Sequence, residues 1–216
     1  APRPEAATTI RFRMGGLWEG ELADTVRAVE AYKEVLVHDP SHTPAIEALD
    51  RLAHGENEPM TAAQVLEPFY EQLAEWTKLI DLYEVMAKHT DDPIAKKERM
   101  HQVAGIYERQ LQEFDKAFDA YASALEIDPG NSEDTVAQME RLAEVTGDWQ
   151  KFATILSGQA ENVLDPLVKT AMLQKVATVQ LEKLQDVDAA IRRYTEVLED
   201  DPENLAAIQA LDRIYG

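Results

Sequence analysis

The stretch YASALEIDP at residues 121–129 occurs in similar form twice more, as YKEVLVHDP at residues 32–40 and as YTEVLEDDP at residues 194–202. In all three copies a tyrosine is followed four positions later by a leucine, and an Asp-Pro pair closes the segment. Similar supersecondary units at a regular spacing stack on one another and bury their apolar faces on their neighbours. The sequence therefore predicts a repeat array whose function is exercised by its surfaces.

The repeat extends beyond this stretch. A shift of 73 residues, the distance from Tyr121 to Tyr194, superimposes like residues over much of the second half. The matched residues are Trp76 and Trp149, Asp92-Pro93 and Asp165-Pro166, Val103-Ala104 and Val176-Ala177, Leu111 and Leu184, and Ala117 and Ala190. An earlier partial copy runs from Met14 to Pro40. This period is close to two helical hairpins of about 34 residues each, so the module is predicted to be a two-hairpin block.

Each copy has the apolar periodicity of two successive helices. Residues recur three and four positions apart, as on one face of an α-helix. In the second copy the two stripes are Met100, Val103, Ala104, Tyr107 and Leu111, then Ala117, Phe118, Tyr121, Ala124 and Leu125. The Asp-Pro pair ends the second helix because the residue before proline avoids helical angles. Asn131 or Ser132 is expected to cap the helix that follows.

These residues resemble the tetratricopeptide repeat family, TPR for short. The second half of its pattern, A-x3-F followed by P, is matched by Ala28-x3-Tyr32 with Pro40 and by its two counterparts, Ala117-x3-Tyr121 with Pro129 and Ala190-x3-Tyr194 with Pro202. In the first half, Gly16 and Gly105 match the glycine, whereas Thr178 replaces it in the third copy. The resemblance implies an all-α fold, an α-solenoid of about 11 or 12 helices forming a right-handed superhelix, whose concave groove binds proteins or peptides.

One stretch breaks the regular spacing. Between Pro40 and Trp76 the chain has 16 more residues than between Pro129 and Trp149, which predicts an added helix on one side of the segment HGENEPM. An odd helix would reverse the direction of the chain relative to the stack.

The expected organisation is an extended or disordered segment at 1–8, a first repeat with a following helix at 9–54, a possible hinge at 55–60, and further repeats at 61–216 ending in a truncated helix.

The composition limits the classes of partner. The chain has 21 Lys and Arg against 41 Asp and Glu, a net charge of −20, which repels phosphate backbones and anionic lipids. We therefore expect no nucleic-acid partner and no membrane insertion. The absence of cysteine excludes disulfides and thiolate chemistry, and a soluble protein, with the cytoplasm favoured, is expected. The sequence lacks an initiator methionine and ends within the repeat pattern, so a piece of a longer protein is also expected.

No residue pattern in the sequence indicates catalysis or a bound cofactor. His38 and His42 flank a turn, but neither sibling turn keeps a histidine, so a metal site is not favoured there. The oxygen-rich DPGNSED at 128–134 lacks the glycine of a calcium loop and is interpreted as a turn with a helix cap. Trp18, Trp76 and Trp149 recur at matching places and are expected in the core. We expect no catalytic, cofactor-binding or metal-ligating residues and no enzyme activity.

The candidate binding residues follow from the resemblance. In the family the first helix of each pair lines the concave groove, so residues off its core stripe are expected to face a ligand. They are Arg99, Gln102, Ile106 and Arg109 in the second copy, and Met172, Lys175, Val179 and Lys183 in the third. This mixture of cations and apolar groups suits a peptide with apolar anchors and a few acidic residues. The Lys and Asn clamp that some members use for chaperone tails is not favoured, because Ile106 and Val179 stand where Asn is required.

Two functional hypotheses remain open at this point. The first is an interaction scaffold that binds a protein or peptide partner in its concave groove. The alternative is a structural module that self-associates through exposed terminal helices, in particular residues 206–215 with Ile208, Leu211 and Ile214, because the uncapped ends of repeat arrays are adhesive.

Overall fold

A computed structural model describes residues 4–216, and within them the chain forms twelve α-helices and no strand. The predicted all-α solenoid of stacked hairpins, with 11 or 12 helices, is confirmed. Within the described residues no helix is both long enough and apolar enough to cross a bilayer. The helices are α1 (Pro4–Gly20), α2 (Thr25–His38), α3 (Thr43–Ala53), α4 (Pro59–Gln72), α5 (Trp76–Lys88), α6 (Pro93–Ile106), α7 (Phe114–Ile127), α8 (Glu133–Thr146), α9 (Trp149–Ala160), α10 (Pro166–Glu182), α11 (Val187–Asp200) and α12 (Leu205–Tyr215).

The chain divides into two compact units, and the boundary lies between Ile106 and Tyr107. Unit 1 contains α1 to α6; unit 2 opens with a π-helical turn, Tyr107–Leu111, and contains α7 to α12. Residues 55–60, the possible hinge of the sequence analysis, cover the connection of α3 to α4 and the first residues of α4, inside unit 1. Of the segment 1–8 that was expected to be extended, residues 1–3 lie outside the described residues, and residues 4–8 begin α1.

The first helix of each sequence copy ends in the same way. Ala23, Gln112 and Gln185 follow these helices with φ of 49°, 56° and 56°, the left-handed region that disfavours residues with a Cβ atom. The next residue then reaches back six positions: the N–H of Asp24 donates to the carbonyl of Trp18 at 2.8 Å, and Asp186 does the same to Gln180 at 2.9 Å. These turns reverse the chain and bring the second helix alongside the first.

The three tyrosines that define the repeat occupy like environments. Tyr32, Tyr121 and Tyr194 are 2%, 6% and 4% exposed, and the alanines four positions earlier are fully buried. The glycine assignment needs correction in the first copy. The glycine that packs beneath Tyr32 is Gly15, which is buried, whereas Gly16 is exposed. The repeat landmarks therefore mark the contact between paired helices, and in the first copy the small residue lies one position earlier than the motif places it.

The added helix is α4, and it changes which layer of unit 1 each helix joins. In one layer, Arg51 of α3 contacts Glu19 of α1 at 2.7 Å, and His54 after α3 contacts Asp81 of α5 at 2.7 Å. In the other layer α4 packs on α2, and Arg99 of α6 contacts Glu67 of α4. Because of the extra helix, α1 and its sequence counterpart α6 lie in opposite layers. The extra helix thus reverses the direction of the chain relative to the stack in unit 1, as the spacing of the sequence predicts.

Candidate functional site

The eight candidate binding residues are divided between the two units. Unit 1 holds Arg99, Gln102 and Ile106; unit 2 holds Arg109, Met172, Lys175, Val179 and Lys183. Each set is described within its own unit.

In unit 1 the candidates join helices to one another. Arg99 Nη1 donates to Glu67 Oε1 at 3.0 Å and to Gln102 Oε1 at 2.8 Å, and its guanidinium lies 5.2 Å from the centroid of the Tyr83 ring. Ile106 is 7% exposed. The two hydrogen bonds of Nη1 and the contact with the Tyr83 ring hold the guanidinium against the neighbouring helices. These side chains therefore stabilise the contact of α6 with α4 and α5.

In unit 2 the candidates on α10 make the corresponding contacts with α8. Lys175 Nζ donates to Glu140 Oε2 at 2.5 Å, and Lys183 Nζ donates to Glu144 Oε2 at 2.6 Å. Lys183 also lies over the Trp149 ring, 4.7 Å from its centroid. Met172 and Val179 are buried, at 6% and 4% exposure. Arg109, in contrast, is exposed and makes no ion pair among the described residues.

Six ion pairs between stacked helices share one polarity, whereas the His54–Asp81 contact has the opposite one. In each of six pairs the acid belongs to the earlier helix and the cation to a later helix of the same layer, 32 to 39 residues along the chain. Most of these side chains are partly exposed, so each pair contributes only about 0–1 kcal/mol. Their common spacing is a signal that a search of the sequence could have found. The pairs are Glu19–Arg51, Glu67–Arg99, Glu108–Arg141, Asp119–Lys151, Glu140–Lys175 and Glu144–Lys183.

These pairs change the expected chemistry of the site. Arg99, Lys175 and Lys183 were expected to attract acidic residues of a ligand. Each instead faces a carboxylate of its own unit at 3.0 Å or less, which largely cancels its field toward a ligand. The local pattern of a single repeat does not reveal these partners, because the acids lie more than 30 residues away along the chain.

Unit 2 contains an open groove of 1090 Å³ between the start of α8 and the first half of α10. Its α10 wall is mainly apolar and includes Leu167, which is 79% exposed. Its opposite wall carries Glu133 and Asp134 in the first turn of α8. Two of the eight predicted residues line it, Met172 and Lys175. The full lining is Gly130, Asn131, Ser132, Glu133, Asp134, Val136, Ala137, Leu167, Val168, Ala171, Met172 and Lys175.

The turn before α8 shapes the floor of this groove. Ser132 stands at the N-cap position, but its Oγ donates to the Pro129 carbonyl at 2.7 Å and makes no capping bond, so the expected cap is not formed. Asn131 Nδ2 donates to both carboxylate oxygens of Asp128. Asn204 at the equivalent turn before α12 does cap its helix, accepting from the Ala207 N–H at 3.0 Å. The side chains of Asn131 and Ser132 thus form hydrogen bonds within the turn itself.

Other residues singled out in the sequence have structural contacts. His42 caps α3, because its Nδ1 accepts from the Ala45 N–H at 3.2 Å. The described part of the chain contains no cluster of three or more potential metal ligands. The tryptophans are half-buried, so the expectation that they form the core was wrong. Trp18 instead lies beneath the guanidinium of Arg27, 4.6 Å away, and Trp149 meets Phe152 edge to face at 5.9 Å.

A polar network in unit 1 was not found from the sequence. Tyr70 donates to Asp50 Oδ1 at 2.6 Å. The ring nitrogens of His54 face the Asp50 carbonyl at 2.8 Å and the Asp81 carboxylate at 2.7 Å. The hydrogen bond to the Asp50 carbonyl, aided by Asp81 and opposed by partial burial, raises the pKa of His54. Burial and the hydrogen bond to Asp50 raise the pKa of Tyr70 well above its ordinary value.

Comparisons with known proteins identify TPR structures as similar to this chain. No protein-family model and no curated protein matches it. The structure of YrrB, described as a TPR protein with an unusual peptide-binding site, aligns over 94% of this chain and 90% of that chain, with 13% identity and a TM-score of 0.36. PilF of Pseudomonas aeruginosa aligns over 97% and 99%, with 15% identity and a TM-score of 0.34. A TPR protein of Thermus thermophilus aligns over 94% and 96%, with 17% identity and a TM-score of 0.33. The helix order and the buried tyrosines of this chain establish its all-α hairpin fold without these alignments.

Proposed function

We propose that the protein is a non-enzymatic interaction scaffold that binds a peptide segment of a protein partner in the groove between α8 and α10. The observation that carries the proposal is the exposed apolar wall of α10, opposite a mostly polar turn, in an open groove of 1090 Å³. TPR-like hairpins present such surfaces in a rigid form, so little ordering is required when a partner binds.

The charges of the groove favour a neutral or basic ligand. Lys175 is paired with Glu140, whereas Glu133, in the first turn of α8, lines the opposite wall. The net charge of −20 attracts basic partners over the same range in which it repels acidic ones. We therefore propose a ligand with apolar anchors for the wall around Leu167 and Met172 and with Lys or Arg near the start of α8. This revises the acidic peptide expected from the sequence.

A peptide array tests this assignment. Three sets share the same apolar anchors and differ in carrying Lys and Arg, Asp and Glu, or neither; binding is measured by fluorescence anisotropy at low salt. We expect the basic set to bind most tightly and Leu167→Ser to weaken that binding. Leu164→Ser is the matched control, because Leu164 is 98% exposed and does not line the groove. Equal effects of the two substitutions, or tighter binding of the acidic set, would contradict the proposed site.

A second candidate function is self-association through the terminal helices. The observation in its favour is apolar exposure at both ends of the described chain. Ile10 and Leu17 of α1 are 56% and 53% exposed, and Leu205 of α12 is 71% exposed. A stacked array leaves such faces uncovered when no neighbouring hairpin packs on them. Sedimentation velocity over a concentration series tests this candidate, and a protein that remains monomeric throughout would exclude it.

A further inference from the structure

The same three-helix block occurs once in each unit. The shift of 73 residues, the distance from Tyr121 to Tyr194, places α4, α5 and α6 of unit 1 on α8, α9 and α10 of unit 2. Pro93, which begins α6, falls on Pro166, which begins α10. The first and third helices of the two blocks can therefore be compared position by position.

In unit 1 an arginine side chain crosses from the third helix of the block to the first. Arg99 Nη1 of α6 donates to Glu67 Oε1 of α4 at 3.0 Å and to Gln102 Oε1 at 2.8 Å. The side chains of Arg99 and Glu67 are each 25% exposed. A guanidinium carries its N–H donors in a planar fork, so it serves two acceptors at once. In this block a guanidinium thus meets a carboxylate between the first and third helices.

In unit 2 the carboxylate is kept, but the arginine is not. The alignment places Glu140 on Glu67 and Met172 on Arg99. Met172 lines the groove between α8 and α10, and its side chain has neither a charge nor a hydrogen-bond donor. The cation that reaches Glu140 is instead Lys175, about one helical turn further along α10. The position from which unit 1 supplies a guanidinium therefore belongs to the open groove in unit 2.

We propose that the peptide bound in this groove carries an arginine whose guanidinium lies over Met172 and binds Glu140. It takes the place that the Arg99 guanidinium takes beside Glu67 in unit 1. The inference rests on the proposed function and names one side chain of its basic ligand. Glu140 lies two helical turns beyond Glu133 on α8, so this arginine is distinct from the basic residue proposed near the start of that helix.

The surroundings of Glu140 favour arginine over lysine. The Glu140 side chain is 39% exposed, so a cation that binds it gives up part of its hydration. A guanidinium is more weakly hydrated than an ammonium group and gives up less. The apolar wall of α10 contacts the carbon chain of such a residue while its charged end reaches the carboxylate.

Lys175 limits the affinity for this arginine. Its Nζ donates to Glu140 at 2.5 Å, so a ligand guanidinium has to share the carboxylate with a group of like charge. The alignment places Gln102 on Lys175, and in unit 1 Gln102 accepts a hydrogen bond from Arg99. Replacing the lysine with glutamine removes the competing cation and provides an acceptor. Unit 1 therefore supplies the substitution that is expected to strengthen binding.

Peptides with one variable position test the inference on the 216-residue chain by fluorescence anisotropy at low salt. The series starts from the basic peptide set and carries arginine, lysine or citrulline, the uncharged analogue of arginine, at one position at a time. At one position we expect arginine to bind about threefold or more tighter than lysine, and about tenfold or more tighter than citrulline.

Two substitutions in the protein have opposite expected effects on the arginine peptide. Lys175→Gln is expected to strengthen its binding about threefold or more and to increase its advantage over the lysine peptide. Glu140→Gln is expected to weaken its binding about tenfold and to leave the citrulline peptide within about twofold of its affinity for the parent. Lys183→Gln is the matched control, because Lys183 also lies on α10, is paired with Glu144 and does not line the groove. It makes the same charge change and is expected to alter binding less than about twofold.

The outcomes separate this inference from the proposed function. If binding depends on Leu167 but arginine has no advantage over lysine at any position, the arginine assignment is wrong while the groove proposal stands. The same conclusion follows if Glu140→Gln leaves the arginine peptide unaffected, or if Lys175→Gln and Lys183→Gln have equal effects. If no peptide binds the parent chain, or Leu167→Ser leaves binding unchanged, the inference and the proposed function are both overturned.

Discussion

The ring of Tyr32 lies so close to Gly15 that a Cβ atom at Gly15 would be 2.5 Å from Tyr32 Cε1, well inside van der Waals contact. Gly16, the next residue, would place its Cβ no nearer than 3.9 Å, from the Tyr32 hydroxyl. Two adjacent glycines of one helix thus have different roles. The first permits the α1–α2 contact, and the second is a helix-weakening residue on an exposed face.

This difference predicts opposite effects of the same substitution. Gly15→Ala is expected to lower the free energy of unfolding by about 1–3 kcal/mol, because the ring or the helix has to move. Gly16→Ala is expected to raise it by about 0.5–1 kcal/mol, because alanine is the better helix former. Urea unfolding followed by circular dichroism measures both. Similar shifts in the same direction would show that the Tyr32–Gly15 contact does not constrain the packing.

The buried ring of Tyr121 predicts a large packing effect. Tyr121→Ala is expected to cost about 3–5 kcal/mol, because the ring is 6% exposed and its removal leaves a cavity between helices. Tyr215→Ala is the control, since Tyr215 is 72% exposed and its loss should change stability by about 0.5 kcal/mol or less. Thermal and urea unfolding provide the measurement. A cost at Tyr121 below about 1 kcal/mol would mean that the helix phase is wrong.

The left-handed residues after the first helices predict a stabilising substitution. Gln185 has a φ of 56°, so Gln185→Gly is expected to raise the free energy of unfolding by about 1 kcal/mol, because glycine adopts this conformation without strain. Gln150→Gly, on the exposed face of α9, is expected to lower it by a similar amount. Unfolding midpoints of the two variants are compared with the parent. Destabilisation at both positions would contradict the left-handed assignment.

The His54 network predicts a pH-dependent contribution to stability. Both ring nitrogens face oxygen acceptors, and the hydrogen bond to the Asp50 carbonyl, together with the one to Asp81, raises the pKa of His54. A pKa raised on folding stabilises the native state fully below the unfolded value of about 6.5, and this contribution is lost as pH rises through the native pKa. His54→Gln should therefore lower the melting temperature at about pH 6 and change it little at about pH 9.

The contact of His54 with Asp81 can be tested directly. NMR titration of the ring proton of His54 in the parent and in Asp81→Asn measures the pKa directly, and the substitution should lower it. A His54 pKa that does not respond to Asp81 would exclude the proposed contact.

The local design of the hairpins could be predicted because its signals are close together in sequence. The spacing of apolar residues predicted the helices, and the Asp-Pro pairs predicted where they end. The alanines before Tyr32, Tyr121 and Tyr194 indicated close packing between paired helices. The left-handed turn residues Ala23, Gln112 and Gln185 were missed, because Ala and Gln are not the residues that normally indicate this conformation.

The candidate site was predicted less well than the fold. Met172 and Lys175 do line a groove, but Arg99, Lys175 and Lys183 have carboxylate partners on neighbouring helices, and Ile106 and Val179 are buried. Each of these facts depends on which helix covers another. The apolar wall around Leu167 was missed because nothing in its local pattern distinguishes a helix face that opens on a groove from one that opens on bulk water.

The sequence by itself determined the unit of construction: helix pairs with a buried tyrosine, repeated along the chain, because periodicity and chain breakers act over a few residues. Tertiary structure decided which faces remained open, since burial and charge pairing join residues more than 30 positions apart. Val179 is buried because other helices of unit 2 cover it, and no local pattern encodes those neighbours.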